Sequence, residues 1–264
     1  MTSRILHVSD LHVGARDDPV LEPALAEIVE RVQPALVLAT GDLTHRGRAD
    51  EHARAATLLR ALGPPVIAVP GNHDIPYTFP ARVTSPWRLF EREWGTTEPV
   101  CAAAGVHVVG LNSVRPWRHQ SGALGDPALD RAAERLADAA PGALRVVCLH
   151  HQLIGAPWRT RKRPVANRTH VLARLVDAGA DLITGGHIHQ GAVSERHEFE
   201  VVSTHVRGTI VAVAPGLGQP RPSRRGEARG ALAYLVDDES VVVETHIWHG
   251  DAFRLTASRT FPRL

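Results

Sequence analysis

Five short apolar runs in this chain end in the same kinds of residue. They are "LHVSDLH" (6–12), "LVLATGDL" (36–43), "VIAVPGNHD" (66–74), "RVVCLHH" (145–151) and "LITGGHIH" (182–189). Each run has the length and β-branched content of a buried strand, and helical patterns separate them, at 21–32, 49–62, 86–94, 127–139 and 165–178. A strand "VHVVGL" stands between the third and fourth helical segments. Such alternation predicts an α/β layered fold with a largely parallel inner sheet. In such sheets the carboxyl ends of the strands form the ligand crevice, so aspartate, asparagine and histidine from distant parts of the sequence should converge there. After Gly191 the pattern changes to short strands joined by turns, with "DDES" and "HGDA" as hairpin turns. A second, mainly antiparallel sheet is expected over 191–264, within one domain spanning 1–264, while 1–190 carries the strand-end residues.

Residues two apart on an extended segment point the same way, so Asp10 with His12, and His187 with His189, are each expected to offer two donors to one place. Two carboxylates, an amide and several imidazoles suit Mn, Fe or Zn rather than Ca or a thiolate-bound cluster. One ion takes four to six donors, and Asp10, His12, Asp42, Asn72, His150, His187 and His189 make seven. A pair of ions sharing one carboxylate is the economical arrangement.

The order Asp10-Leu11-His12, Gly41-Asp42, Gly71-Asn72-His73-Asp74, His150 and Gly186-His187-Ile188-His189 resembles the calcineurin-like metallophosphoesterases. The likeness is closest to the branch of cyclic-nucleotide phosphodiesterases and glycerophosphodiesterases. "GD" alone is common, but five blocks in order at five strand ends form a specific pattern. The resemblance implies a four-layer αββα sandwich around two divalent or mixed-valence metal ions. It implies that Asp10, His12 and His189 hold the first ion, that Asn72, His150 and His187 hold the second, and that Asp42 bridges them. It further implies that His73 contacts the substrate phosphate and leaving group while Asp74 orients it. The expected reaction is hydrolysis of a small phosphodiester by a hydroxide held between the ions. A phosphomonoesterase or a nuclease of the same superfamily, or a non-catalytic scaffold on the same fold, are the competing readings.

Composition narrows the partners. Thirty basic and 28 acidic residues leave a formal charge of +2, too balanced to indicate nucleic acid or an anionic membrane. No apolar stretch approaches the ~20 residues of a membrane span, and the chain enters a strand pattern within a few residues of its start. With two cysteines and no disulfide framework, the expectation is a cytoplasmic protein, compatible with a homodimer. Cys148, inside an apolar run, reads as core packing. The other histidines, His7, His45 and His52 among them, read as ordinary polar residues, and His150 is preferred to its neighbour His151 as the ligand. The basic segments Arg159 to Arg163 and Arg224 to Arg225 read as solvated loops, with a lid or a phosphate contact as the functional alternative.

Overall fold

The computed structural model describes residues 2–15, 18–158, 160–195, 208–218 and 227–263. In chain order the elements are β1 (Ser3–Val8), α1 (Leu21–Val32), β2 (Leu36–Thr40), α2 (Ala49–Arg60), β3 (Val66–Val69), α3 (Ala81–Thr84), α4 (Arg88–Trp94), β4 (Val100–Ala103) and β5 (Val106–Gly110). There follow α5 (Asp126–Ala137), β6 (Leu144–Cys148), α6 (Arg168–Asp177), β7 (Leu182–Gly185), β8 (Ala192–Glu195), β9 (Ile210–Val213), β10 (Gly230–Val236), β11 (Ser240–Trp248) and β12 (Phe253–Pro262). Among the described residues no helix is long and apolar enough to cross a membrane.

The strands form two six-stranded mixed sheets, ordered β12-β11-β10-β1-β2-β3 and β4-β5-β6-β7-β9-β8. Alternation along each inner strand sends residues to two different cores. Ile5, Leu36 and Leu38 meet Val108, Val146, Cys148 and Leu182 between the sheets. Leu6, Val8, Val37 and Ala39 face Leu25, Ile28, Ala55 and Leu59 of α1 and α2. Val109, Val147 and Ile183 face Leu129, Leu136, Val171 and Leu175 of α5 and α6 on the other side. The layers are therefore helix, sheet, sheet, helix. Each fully buried leucine or isoleucine contributes about 1.5–3 kcal/mol through removal of apolar area from water.

The expectation of a separate C-terminal sheet is corrected. β9 runs parallel to β7 and pairs antiparallel with β8, while β10 pairs antiparallel with β1 and leads into β11 and β12. Parallel units β1-β2-β3 and β5-β6-β7 each leave an edge strand with unpaired backbone groups, and the late strands cover both edges. The turns at "DDES" and "HGDA" do join β10 to β11 and β11 to β12. The expected long strand from 192 is described only as β8, because 196–207 lie outside the described residues.

One polar network crosses the apolar middle layer. His7 Nδ1 lies 2.8 Å from both Tyr234 Oη and Thr184 Oγ1, and His7 Nε2 lies 2.8 Å from Thr40 Oγ1. It ties β1, β2 and β10 of one sheet to β7 of the other, directly beneath the loops that follow β1 and β2.

A candidate metal centre at the strand ends

All seven candidate ligands sit just beyond the carboxyl ends of β1, β2, β3, β6 and β7, and none is more than 5% exposed. They fall into two groups. In the first, His189 Nε2 is 3.0 Å from Asp10 Oδ1 and 3.1 Å from His12 Nε2. In the second, His150 Nε2 is 3.1 Å from His187 Nδ1 and 3.3 Å from Asn72 Oδ1. Asp42 stands between them, with Oδ2 3.8 Å from His12 Nε2 and Oδ1 3.4 Å from His150 Nε2.

All of these spacings except the 3.8 Å between His12 and Asp42 fit donors gathered around an ion. Donors about 2.1 Å from one ion at octahedral or tetrahedral angles lie about 3.0–3.4 Å from one another. Among the described residues no group donates a hydrogen bond to the buried acceptors Asp10 Oδ1 and Asp42 Oδ2, an arrangement that costs about 1–3 kcal/mol per atom unless a cation supplies the missing partner. The opposite ends of the same side chains are fixed. Asp10 Oδ2 accepts from the Ser9 hydroxyl at 2.8 Å and from the His187 N–H at 2.9 Å. His150 Nδ1 donates to the Thr40 carbonyl at 2.8 Å, which leaves the Nε2 lone pair for the cluster.

The backbone achieves this convergence in an unexpected way. Asp10, His12, Asp42, His187 and His189 all have positive φ, between 49° and 73°. The expectation that Asp-x-His and His-x-His are extended pairs is therefore wrong. The left-handed conformation turns the chain at each of these five residues, so that the Asp10 N–H donates to the Gly41 carbonyl and the His12 N–H to the Asp42 carbonyl, each at 2.9 Å. Glycine is required where the loops touch. A Cβ on Gly71 would overlap the Asp42 carboxylate, and one on Gly186 would overlap the Ser9 hydroxyl.

Charge is balanced within the cluster. Burial would raise the Asp42 carboxyl, but His150, His73 and His12 hold it well below the usual range, and His189 does the same for Asp10. Burial disfavours the His150 imidazolium, yet the Asp42 and Asp10 carboxylates more than offset it and raise its pKa to about 9. Burial leaves His12 and His187 well below the imidazole range.

His73 lies beside the first group, half-buried, with its ring 4.8 Å from the ring of His12 and perpendicular to it. Its backbone N–H donates to Asp42 Oδ1 at 2.8 Å, and its Nδ1 is 2.7 Å from the His45 carbonyl. The Tyr77 hydroxyl is 3.3 Å from the same nitrogen. Asp74 does not orient this ring as expected. Its carboxylate accepts from the N–H groups of Leu43, Thr44 and Gly71 and from the Thr44 hydroxyl, so it clamps the loop after β2 to the loop after β3.

Two histidines belong to the site although sequence reasoning set them aside. His151 is buried, 4.6 Å ring to ring from His187, with Nδ1 2.9 Å from the Ser113 hydroxyl. His45 stacks on His73 at 5.7 Å. The adjacency of His151 to His150 was a usable signal, whereas His45 carried none beyond its place three residues after Asp42. Of the basic segments, Lys162 lies near enough for its charge to lower the proton affinity of Asp10, His189 and His187. Arg161 and Arg163 are exposed, and Arg159, Arg224 and Arg225 lie outside the described residues.

Residues 3–191, which include every block described above, match the family described as Calcineurin-like phosphoesterase. The chain belongs to that family. Over 226 residues, 80% of this chain and 78% of the relative, it is 29% identical to the 3',5'-cyclic adenosine monophosphate phosphodiesterase CpdA of Pseudomonas aeruginosa. It is 31% identical over 160 residues, 57% of this chain, to a probable cyclic nucleotide phosphodiesterase of Synechococcus, and that match spans 58% of the cyanobacterial protein. Among solved structures, a dimetal phosphatase from Danio rerio superimposes with a TM-score of 0.65 at 14% identity, covering 99% of both chains. The layered architecture is thus the calcineurin-like metallophosphoesterase fold, and its His and Asp clusters are able to bind metal.

Proposed function

We propose that this chain is a metal-dependent phosphodiesterase with a two-ion centre, acting on a small phosphodiester of the cyclic-nucleotide type. Asp10, His12 and His189 would hold one ion, Asn72, His150 and His187 the other, and Asp42 would lie between them. The observation that carries the reading is the division of the Asp42 carboxylate, one oxygen toward each histidine group. Two divalent ions, when bound, supply water acidic enough to be ionised near neutral pH and a positive surface for phosphate.

The chain's own groups set the rest. Asp10 and Asp42 bring two negative charges against four, which leaves the site attractive to an anionic diester. His73 lies beside the first group, and the His45 carbonyl accepts from its Nδ1, so Nε2 is the ring nitrogen left to face the leaving oxygen, to which the imidazolium form would pass its proton as charge builds there. Lys162 adds positive potential at the rim. The names of the two bacterial relatives support the cyclic-nucleotide choice.

Turnover of the Mn-loaded protein on 3',5'-cyclic AMP, bis-p-nitrophenyl phosphate, a glycerophosphodiester and p-nitrophenyl phosphate tests the proposal. Hydrolysis of the diesters is expected. Turnover of the monoester alone would reject the diesterase reading, and two tightly held ions with no turnover of any ester would favour the scaffold reading.

A further inference from the structure

The segment 214–230, between β9 and β10, lies beyond the part of the chain that matches the family, yet its described residues are fastened to the metal loops. The Leu217 N–H donates to the Ser9 carbonyl and the Gly218 N–H to the Asp10 carbonyl, each at 2.9 Å. The Ala214 N–H donates to the Gly185 carbonyl at 2.8 Å, and the Gly230 N–H closes the segment on the Gly216 carbonyl at 3.2 Å. From this strap the side chain of Glu227, 10% exposed, places Oε2 3.3 Å from His189 Nδ1.

A carboxylate can only accept, so the Nδ1 of a neutral His189 carries the proton and donates it to Glu227. The lone pair is then on Nε2, the atom that faces Asp10 Oδ1 and His12 Nε2. The second group is supported differently, since the backbone carbonyl of Thr40, a neutral acceptor, takes the Nδ1 proton of His150. Among the described residues His12 Nδ1 is buried with no hydrogen-bond partner, so Glu227 is the anchor seen there for an imidazole of the first group.

We infer that Glu227 is a positioning residue for the ion at Asp10, His12 and His189, and that it makes this position electronically distinct from the one at Asn72, His150 and His187. It fixes the His189 tautomer and ring plane, and its charge raises the basicity of Nε2. The inference rests on the metal-centre reading above and deepens it.

The test is Mn titration of metal-free protein, with free Mn counted by electron paramagnetic resonance, for wild type, Glu227→Gln and Glu227→Ala. Glutamine keeps the size and an acceptor but removes the charge. The expected result is two affinities in wild type, one of them weakened by about 10- to 100-fold in the variants, more in alanine than in glutamine, while the other is unchanged. The melting temperature of metal-free Glu227→Gln should stay close to wild type, because the amide oxygen still accepts from His189 Nδ1. Wild-type affinities in both variants would overturn the inference. So would an equal loss at both positions together with a lowered melting temperature, which would mark collapse of the strap. A wild type that binds one ion, weakened in Glu227→Gln, would sustain Glu227 and sink the two-ion proposal, whereas a wild type that binds none would sink both.

Discussion

Loading the centre with metal should expel protons, and the structure sets how many. His150 has a pKa of about 9 in the metal-free protein, because Asp42 and Asp10 stabilise its charge despite burial. At pH 7.5 it is almost fully protonated, yet a ligand imidazole must be neutral. An incoming ion therefore competes against a proton held about 1.5 pH units above ambient, which costs about 2 kcal/mol, or about thirtyfold in apparent affinity. His189, opposed by burial but raised by Asp10, adds to the release. At least one proton per loaded chain should appear at pH 7.5, with a further contribution from any metal-bound water that ionises, and Mn affinity should rise at least tenfold per pH unit below about pH 9. Asp42→Asn removes the carboxylate that sustains the His150 charge, so release should fall by about one proton and the pH slope should flatten. Calorimetric titration in buffers of different ionisation enthalpy counts these protons directly. Release indistinguishable from zero in wild type, or unchanged in Asp42→Asn, would refute the reasoning.

His73→Ala should keep its metal and lose turnover by about 10²–10⁴, as for a positioned acid, whereas His187→Ala should lose metal and turnover together; metal content measured beside turnover separates the two. Ala104 and Gly105 form the two-residue turn between β4 and β5 with φ of 52° and 71°, where an Asn-Gly pair is favoured, so Ala104→Asn should stabilise the fold by about 1 kcal/mol in a urea melt. In the metal-free protein, burial depresses the His7 pKa to about 3 against a smaller opposing effect of Asp10. The unfolded chain binds this proton near pH 6.5 and the folded chain refuses it until about 3, so stability should fall as pH drops through that window, by about 1.4 kcal/mol per unit from His7. Equal urea midpoints at pH 7 and pH 5 would contradict this.

The strand-end blocks are legible because two kinds of information coincide there. Apolar runs such as "VIAV" announce a buried strand, and "GNHD" immediately after it announces chemistry, so Asn72 and His73 are located to the residue without coordinates. The sheet to which β10–β12 belong is not legible, since an alternating strand carries the same pattern against any partner and the open edge of β1 is a property of the assembled layers. Asp74 illustrates a different loss. Its neighbour His73 makes a sequence reader pair the two, but its oxygens are claimed by backbone N–H groups of Leu43 and Thr44, thirty residues upstream. Glu227 has no motif at all, because its role comes from a loop folded back over Asp10. In each case what is missing is the identity of a long-range partner, and local residue type does not encode it.

The five left-handed residues of the cluster show why a strand-end residue read from sequence can be given the wrong geometry. Asp10, His12, Asp42, His187 and His189 are of types enriched at positive φ, but only a few per cent of non-glycine residues adopt it, so residue type alone does not announce it. At about 1–2 kcal/mol each, five such residues store about 5–10 kcal/mol, comparable to the net stability of a whole domain. Evolutionary freedom to place glycine there is removed only if the side chains are needed for something other than the fold. The claim can be tested at His12, buried with φ of 49°. His12→Ala and His12→Gly both delete the imidazole and both should abolish tight metal binding at the first position, but only glycine relaxes the backbone. In the metal-free protein His12→Gly should therefore be the more stable of the two by about 1 kcal/mol, the reverse of the ordinary order in a strand or helix. Urea unfolding of the two variants measures the difference, and an alanine variant as stable as the glycine one would mean that the loop after β1 relaxes to an unstrained path once its imidazole is gone.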